Sequence, residues 1–287
     1  MAPIKIGILG TANIAKRSVI PEILNLNDEF TLVGIASRSR SKALEAAKAN
    51  DLAPFFSYDD LINHTEVDAI YIPLPNSLHF EFVRKALSKG LHVLVEKSLA
   101  TSVSEVNELV QLARKMNVLL MENFQFRFHN QLKYLIDQIE SGVIGEIRSL
   151  NAAFCFPPFP DVNNIRYKKH LGGGALLDAG AYTLKISSII LGKDLIVEAA
   201  KLNTSEGYDV DIWGGAFLSN LNAGTFASAT FGFDHYYQCG VQVIGSKGKI
   251  VTNRLFTAPK NIKPVFEIEI QGKKKEVFNL RRQKMIL

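Results

Sequence analysis

Three stretches of this 287-residue chain carry side chains whose type and spacing suit chemistry. Lys97 stands in "VEKSLATS", where the apolar run "HVLVEK" stops. An ammonium at the end of a buried strand can stabilise an oxygen that gains negative charge and can relay a proton; the plainer reading is a lysine snorkelling to water. Asp178 and Tyr182 stand four apart in "GGGALLDAGAY", so on a helix they share a face. There Asp178, kept ionised by the helix start, could orient a substrate or Lys97, and Tyr182 could donate a proton if a nearby cation lowers its pKa. Otherwise the pair is a helix-terminal charge and a packed aromatic.

The third stretch is "GILGTANIAKRSVI", a strand running into a tight turn that opens a helix. Gly10, Ala12 and Ala15 occupy the three positions of the G-x-G-x-x-G/A fingerprint, with the middle glycine missing. Gly10, Thr11, Ala12, Asn13 and Ile14 would bring backbone N–H groups and the helix dipole to a phosphate; the alternative is a plain strand-to-helix turn. The tip of the second strand, "GIASRSRSKA", has no acid before Glu45 and places Ser37 and Arg38 where a carboxylate would grip a ribose 2′-hydroxyl. An arginine there suits a 2′-phosphate, so NADP(H) is expected, with NAD possible.

These residues need a scaffold, and the hydrophobic pattern supplies one. Through residue 123 the short apolar runs "KIGILG", "TLVGIAS", "AIYIPL", "HVLVEK" and "LLMEN" alternate with amphipathic segments, the rhythm of a parallel sheet covered by helices. Residues 77–89 read as a helix ended by Gly90, and residues 102–116 as one opened by a Ser102/Glu105 capping box. After a further helical pattern near 130–141 comes the long strand-like run "EIRSLNAAFCF" and a glycine-rich helix start at 172–174. From about residue 195 strands alternate with Gly, Asn and Ser turns. The expectation is an α/β chain: a doubly wound parallel sheet in 1–123, and in 124–287 an α/β domain with a large, mainly antiparallel sheet and one helical layer.

Composition narrows the classes. With 47% hydrophobic residues the chain can fill one large core or two moderate ones. Lys+Arg 33 against Asp+Glu 28 gives +5, and the excess sits in "GKKKEVFNLRRQKMIL", a cluster short enough to be merely solvated, so no nucleic-acid partner is expected. The six histidines form no metal-type pair and no metal is expected. Cys155 and Cys239 lie in apolar or aromatic stretches and read as buried thiols of a reducing compartment. "MAPIKIGILG" reads as a strand, not a leader, and no window approaches the roughly 18 continuous apolar residues of a membrane span, so a cytoplasmic protein is expected.

Taken together, "GILGTANIA", "ASRS", "IPLPNSLHFEFVRKAL", "GLHVLVEKSLA" and "GGGALLDAGAYTL" resemble the Gfo/Idh/MocA oxidoreductases, NAD(P)-dependent enzymes acting mostly on sugars, inositols and related polyols. The likeness covers nearly the whole chain. "EKS" is similar to the family's "EKP", with Ser98 for proline. The resemblance implies a Rossmann domain, a C-terminal α/β domain whose open sheet forms the substrate floor, and a homodimer or homotetramer. It implies Lys97, Tyr182 and Asp178 as catalytic residues in hydride transfer to or from a sugar or nucleotide-sugar carbonyl. It also implies that Pro75, Asn76, His79, Glu96, Glu122 and Asn123 lie near the nicotinamide, Asn76 capping the following helix as well. Arg127 reads as structural, and His129 and His170 as possible substrate contacts. Tyr182 stands where inositol dehydrogenases have histidine, which moves the likeness toward glucose–fructose oxidoreductase, dihydrodiol dehydrogenase and nucleotide-sugar 3-ketoreductases. Relatives continue some tens of residues beyond "RRQKMIL", and the lack of their final helix is expected to weaken the fold. The other function class left open is a cofactor-binding sensor or regulator of the same fold.

Overall fold

The computed structural model of the chain describes residues 2–257 and 263–280. Residues 281–287, the end of the basic stretch noted above, lie outside the described ones. The chain divides into two compact units that meet at Phe124 and Gln125.

The first unit is a six-stranded parallel sheet in the order β3-β2-β1-β4-β5-β6, the order of the doubly wound dinucleotide fold. Its strands are β1 (Ile4–Leu9), β2 (Phe30–Ala36), β3 (Ala53–Phe55), β4 (Ala69–Ile72), β5 (His92–Glu96) and β6 (Leu120–Asn123). Helices α1 (Ile20–Asn25), α2 (Arg40–Lys48), α3 (Tyr58–Ile62), α4 (Asn76–Ser88) and α5 (Val103–Met116) make the connections. The apolar runs do not alternate because both faces are covered. Ile8, Ile35 and Tyr71 enter one core with Ile20, whereas Leu9, Ala36, Ile70 and Ile72 enter another with Val83 and Leu109. The boundaries follow local chemistry. Ser102 and Glu105 form the expected capping box of α5, and Gly90, at φ +78°, turns the chain after α4. The strand that the sequence pattern misses is β3: only three residues long and containing Pro54, it is an edge strand.

The second unit carries an eight-stranded sheet in the order β14-β13-β12-β11-β7-β10-β9-β8. Its strands are β7 (Ile147–Cys155), β8 (Ile196–Asn203), β9 (Trp213–Asn220), β10 (Thr225–Gly232), β11 (Gln238–Gly245), β12 (Gly248–Thr252), β13 (Val265–Ile270) and β14 (Glu276–Asn279). Among the described residues only β7 and β10 run parallel; the other pairings are antiparallel. Helices α6 (Asn130–Glu140) and α7 (Ala181–Leu191) supply the helical layer. Tyr134 of α6 packs on Phe266 and Phe278, and α7 lies on β7 and β10. Residues Leu150, Ala152, Ala227, Ala229, Val241 and Val243 are buried, while the alternate positions Asn151, Phe217, Phe226 and Thr230 leave a partly exposed second face.

Among the described residues one stretch, Lys169–Leu191, is long and apolar enough by mean hydropathy to cross a membrane, although Lys169, His170, Asp178 and Lys185 interrupt it and it is no continuous apolar run. Half of it is buried and α7 rests on the sheet, the placement of a core helix. Cys155 and Cys239 are both free and buried, and burial pushes the Cys155 thiol up to about 11.

Candidate active site

The cofactor side is built at the switch point, where β1 and β4 lie side by side and the chain continues to opposite sides. Gly10 follows β1 with φ +110°, and its N–H donates to Ala36 O at 2.8 Å. A Cβ there would lie 2.8 Å from Leu74 Cδ2, so both conformation and space require glycine. Thr11 and Ala12 complete the turn, Asn13 and Ile14 begin the helical segment, and a π-helical turn over Ala15–Val19 leads into α1. The tight glycine turn and the N–H groups of a helix start fit a dinucleotide phosphate. At the end of β2, Ser37 is buried and its Oγ accepts from Ser39 N at 3.2 Å, while Ser39 caps α2. Arg40 is placed over the Phe56 ring at 4.2 Å. Arg38 is exposed beside them, and no carboxylate stands at this strand tip, so the surface suits a 2′-phosphate.

Lys97 follows β5 directly and is half-buried. The backbone after it is gripped by side chains from α4 and β6. His79 sets Nδ1 at 2.6 Å from Ser98 O and Nε2 at 2.8 Å from Leu74 O. Ser98 N donates to Asn76 Oδ1 at 3.2 Å, and Leu99 N donates to Glu122 Oε1 at 2.8 Å. Ahead of the lysine, Glu96 Oε1 accepts from Tyr71 Oη at 2.7 Å and from Asn123 Nδ2 at 2.8 Å. Burial, and after it the facing Glu96 carboxylate, push the Tyr71 phenol far above its ordinary value, so it remains a donor. Lys97 thus extends from a strand end whose neighbouring peptide and carboxylate groups are fixed, which limits the positions its ammonium can reach.

His79 is fully buried with both ring nitrogens facing carbonyls, and the neutral ring donates its one N–H to one of them, tying α4 to the loops beside Lys97. Asn76 does not cap α4: the cap position is Pro75, and the Asn76 oxygen is turned to Ser98. Glu122 and Asn123 lie within β6 and bind protein groups of the lysine segment.

Burial is the main cause that holds His79 below its ordinary 6.5; the Lys97 charge acts the same way and the two carbonyls oppose. The unfolded chain therefore takes up this proton more readily. His79 contributes stability that is fully present above about pH 6.5 and is lost as pH falls through that value toward its folded pKa. His79→Gln is expected to unfold about 1–3 kcal/mol more easily at neutral pH, with the two melting curves converging on acidification. Parallel curves across that range would contradict this.

In the second unit, Asp178 sits in a π-helical turn over Leu176–Gly180 that precedes α7, a local form frequent at functional sites. Its Oδ2 accepts from Arg166 Nε at 2.6 Å, and the carboxylate is only 15% exposed. Arg166, which also lies over the Phe159 ring at 4.9 Å, is a partner of Asp178 that the sequence did not announce. The glycines before it are steric. Gly174 has φ +112° with Asp211 packed against it, and Asp211 Oδ2 accepts from Leu176 N at 2.6 Å, opening the helical segment. Tyr182 is 6% exposed, its ring set among Phe126, Phe154 and Phe256, and its hydroxyl is 3.5 Å from Gln125 Oε1. His129 uses Nδ1 to accept from Gln131 N and cap α6. His170 lies in a short 3-10 turn, and exposed Arg127 is 5.9 Å from the Phe128 ring. Sequence reasoning missed Arg166, Asp211 and Gln125. For Arg166 the available signal was a charge shortly before a triple glycine, a motif whose tight packing needs neighbours; Asp211 is far from it in sequence and left no such signal.

Comparison with known proteins agrees with this arrangement. The profile of an oxidoreductase family with an NAD-binding Rossmann fold matches residues 4–124, and that of the GFO/IDH/MocA C-terminal domain matches residues 132–251. A dTDP-3,4-didehydro-2,6-dideoxy-alpha-D-glucose 3-reductase of Actinomadura kijaniata is 40% identical over 269 residues, 94% of this chain and 80% of that one. An NADP(+) D-xylose 1-dehydrogenase of Haloferax volcanii is 32% identical over 92% of this chain and 79% of its own. The crystal structure of KijD10, a 3-ketoreductase from Actinomadura kijaniata in complex with NADP and TDP-benzene, superposes with TM-score 0.93 at 39% identity, covering 98% of this chain and 85% of that one. With both units matched in sequence and fold, the chain belongs to the Gfo/Idh/MocA oxidoreductase family.

Proposed function

We propose that the chain is an NADP(H)-dependent reductase of a keto group on a nucleotide-linked sugar. The observation that carries this reading is Lys97, projected from a clamped strand end at the carboxyl edge of a dinucleotide-type sheet. Similarity to 3-ketoreductases over 94% of the chain supports the substrate class. NADPH, when bound, supplies the hydride. Lys97 holds the carbonyl oxygen and stabilises the charge that develops on it. Tyr182 gives the proton that makes the alcohol, and Asp178 with Arg166 fixes the start of the helix that carries Tyr182. Gly10, Thr11, Ala12, Asn13 and Ile14 receive the pyrophosphate, and Ser37 and Arg38 the 2′-phosphate. The partly exposed sheet face, with Phe217 and Phe226 each 40% exposed, supports a homodimer formed on that face. Two free thiols suit a reducing cytoplasm.

The test is loss of reduced-nicotinamide absorbance with a panel of TDP-linked and free keto-sugars. Turnover of the linked sugars supports the reading; cofactor binding with no turnover on any of them favours a sensor. Arg38→Ala is expected to weaken NADP(H) by about 1.5–3 kcal/mol and leave NAD(H) unchanged in fluorescence titration. Equal loss for both dinucleotides would show that Arg38 does not read the 2′-phosphate.

A further inference from the structure

A nucleotide-linked substrate must be held by its nucleotide as well as by its sugar, and the second unit offers two clefts of similar size. One, of about 310 Å³, lies on the sheet face and is lined by Asn151, Ser228, Thr230, Gln238 and Gln242 among small apolar residues, with no charged side chain. The other, of about 330 Å³, lies between the 162–168 and 206–208 turns and is lined by Val162, Asn163, Tyr167, Lys168, Glu206 and Tyr208, with Gly207 between the last two. A diphosphate demands a cation and a base demands a ring platform. Only the second of these clefts has both.

We propose that this second cleft receives the nucleoside diphosphate head of the substrate, an inference that rests on the nucleotide-sugar reading above. The tyrosines form a fixed platform. Their ring centroids are 4.7 Å apart at 41°. Tyr167 is 5% exposed, its hydroxyl accepts from Phe159 N at 2.9 Å, and its ring packs edge-on to Phe159 and Phe233. Tyr208, half-buried, presents the ring that a base can stack on. Lys168 is half-buried at the same cleft, and its Nζ is 3.4 Å from Asn163 Oδ1, a neutral partner that leaves its charge to an anion. Glu206 faces the same space; its carboxylate disfavours phosphate near it and accepts from a base N–H or a sugar hydroxyl. That sets a polarity for the ligand, with phosphates toward Lys168 and nucleoside toward Tyr208 and Glu206. Arg166, two residues before Lys168, is the residue paired with Asp178, so the same turn serves both the cleft and the candidate catalytic helix.

The experiment is calorimetric titration of the full chain, saturated with NADP, with thymidine diphosphate. The wild-type chain is expected to bind it. Tyr208→Ala and Lys168→Met are each expected to weaken binding at least tenfold, while Tyr208→Phe and Lys168→Arg stay within about threefold of wild type, as stacking and charge-assisted contacts require. NADP affinity is expected to be unchanged in all four. Lys168→Met alters a partly exposed side chain, so its result stands even if Tyr208→Ala disturbs the fold. Undiminished binding by both Tyr208→Ala and Lys168→Met would overturn the cleft assignment and leave the substrate class intact. If the wild-type chain binds no thymidine diphosphate yet turns over a free keto-sugar with NADPH, the nucleotide-sugar reading itself fails, and the cleft proposal with it.

Discussion

Lys97→Met is expected to lower turnover at least a hundredfold, on the order of 3 kcal/mol of transition-state stabilisation, while NADP(H) affinity and melting temperature stay close to wild type. The size follows from what the ammonium does. A neutral carbonyl oxygen in the ground state makes an ordinary hydrogen bond, whereas the same oxygen carrying developing charge makes a charge-assisted one, so the loss appears in turnover more than in binding. The selectivity follows from the clamp. His79, Asn76 and Glu122 hold the Ser98 and Leu99 backbone, and none of these bonds uses the Lys97 side chain. Removing the charge therefore leaves the loop in place. Near-normal turnover by Lys97→Met on a confirmed substrate would mean that this lysine is a snorkelling residue, and the catalytic assignment would be withdrawn.

Tyr182→Phe is expected to cost roughly a hundred- to ten-thousandfold in turnover, the range of general acid–base catalysis, with little change in stability. Its ring is held by Phe126, Phe154 and Phe256, contacts that phenylalanine keeps. The hydroxyl's contact to Gln125 is long, at 3.5 Å, and is worth about 1 kcal/mol or less. A stability change of several kcal/mol would show instead that the hydroxyl is structural. Combined with Lys97→Met, the loss in turnover is expected to be less than the product of the two, because both groups serve one oxygen in the proposed reaction. Multiplicative losses, read from single-turnover rates, would separate their roles.

The dinucleotide half was legible where physics is local. Uninterrupted apolar runs signalled strands covered on both faces, Ser102 with Glu105 signalled a helix start, and Gly10 signalled a backbone that no other residue adopts comfortably. β3 escaped because three residues with a proline carry no period. In the candidate site, type and motif singled out Lys97, Asp178 and Tyr182, but not Arg166 and Gln125, which the fold sets beside Asp178 and Tyr182. His79 and Asn76 are far in sequence from Ser98, and Arg166 meets Asp178 only after Gly173 and Gly174 let the chain fold back on itself. Spacing along the chain reports which residues share an element; it does not report which carbonyl a buried imidazole will find. That is why the carbonyls of Leu74 and Ser98 that His79 faces were not foreseen. The π-helical turns at Ala15–Val19 and Leu176–Gly180 were also hidden, since a single wider turn leaves little trace in hydrophobic period.

The central claim is that this chain delivers a hydride from NADPH to a sugar carbonyl under the hand of Lys97. The most direct measurement is mass spectrometry of the product formed from a TDP-linked 3-keto-sugar and NADPH carrying deuterium at both C4 positions of the nicotinamide, with wild type and Lys97→Met run side by side. The account predicts one deuterium on the reduced sugar carbon with wild type and at least a hundredfold slower labelling with the variant. Unlabelled sugar with wild type, or equal labelling by both proteins, would contradict it.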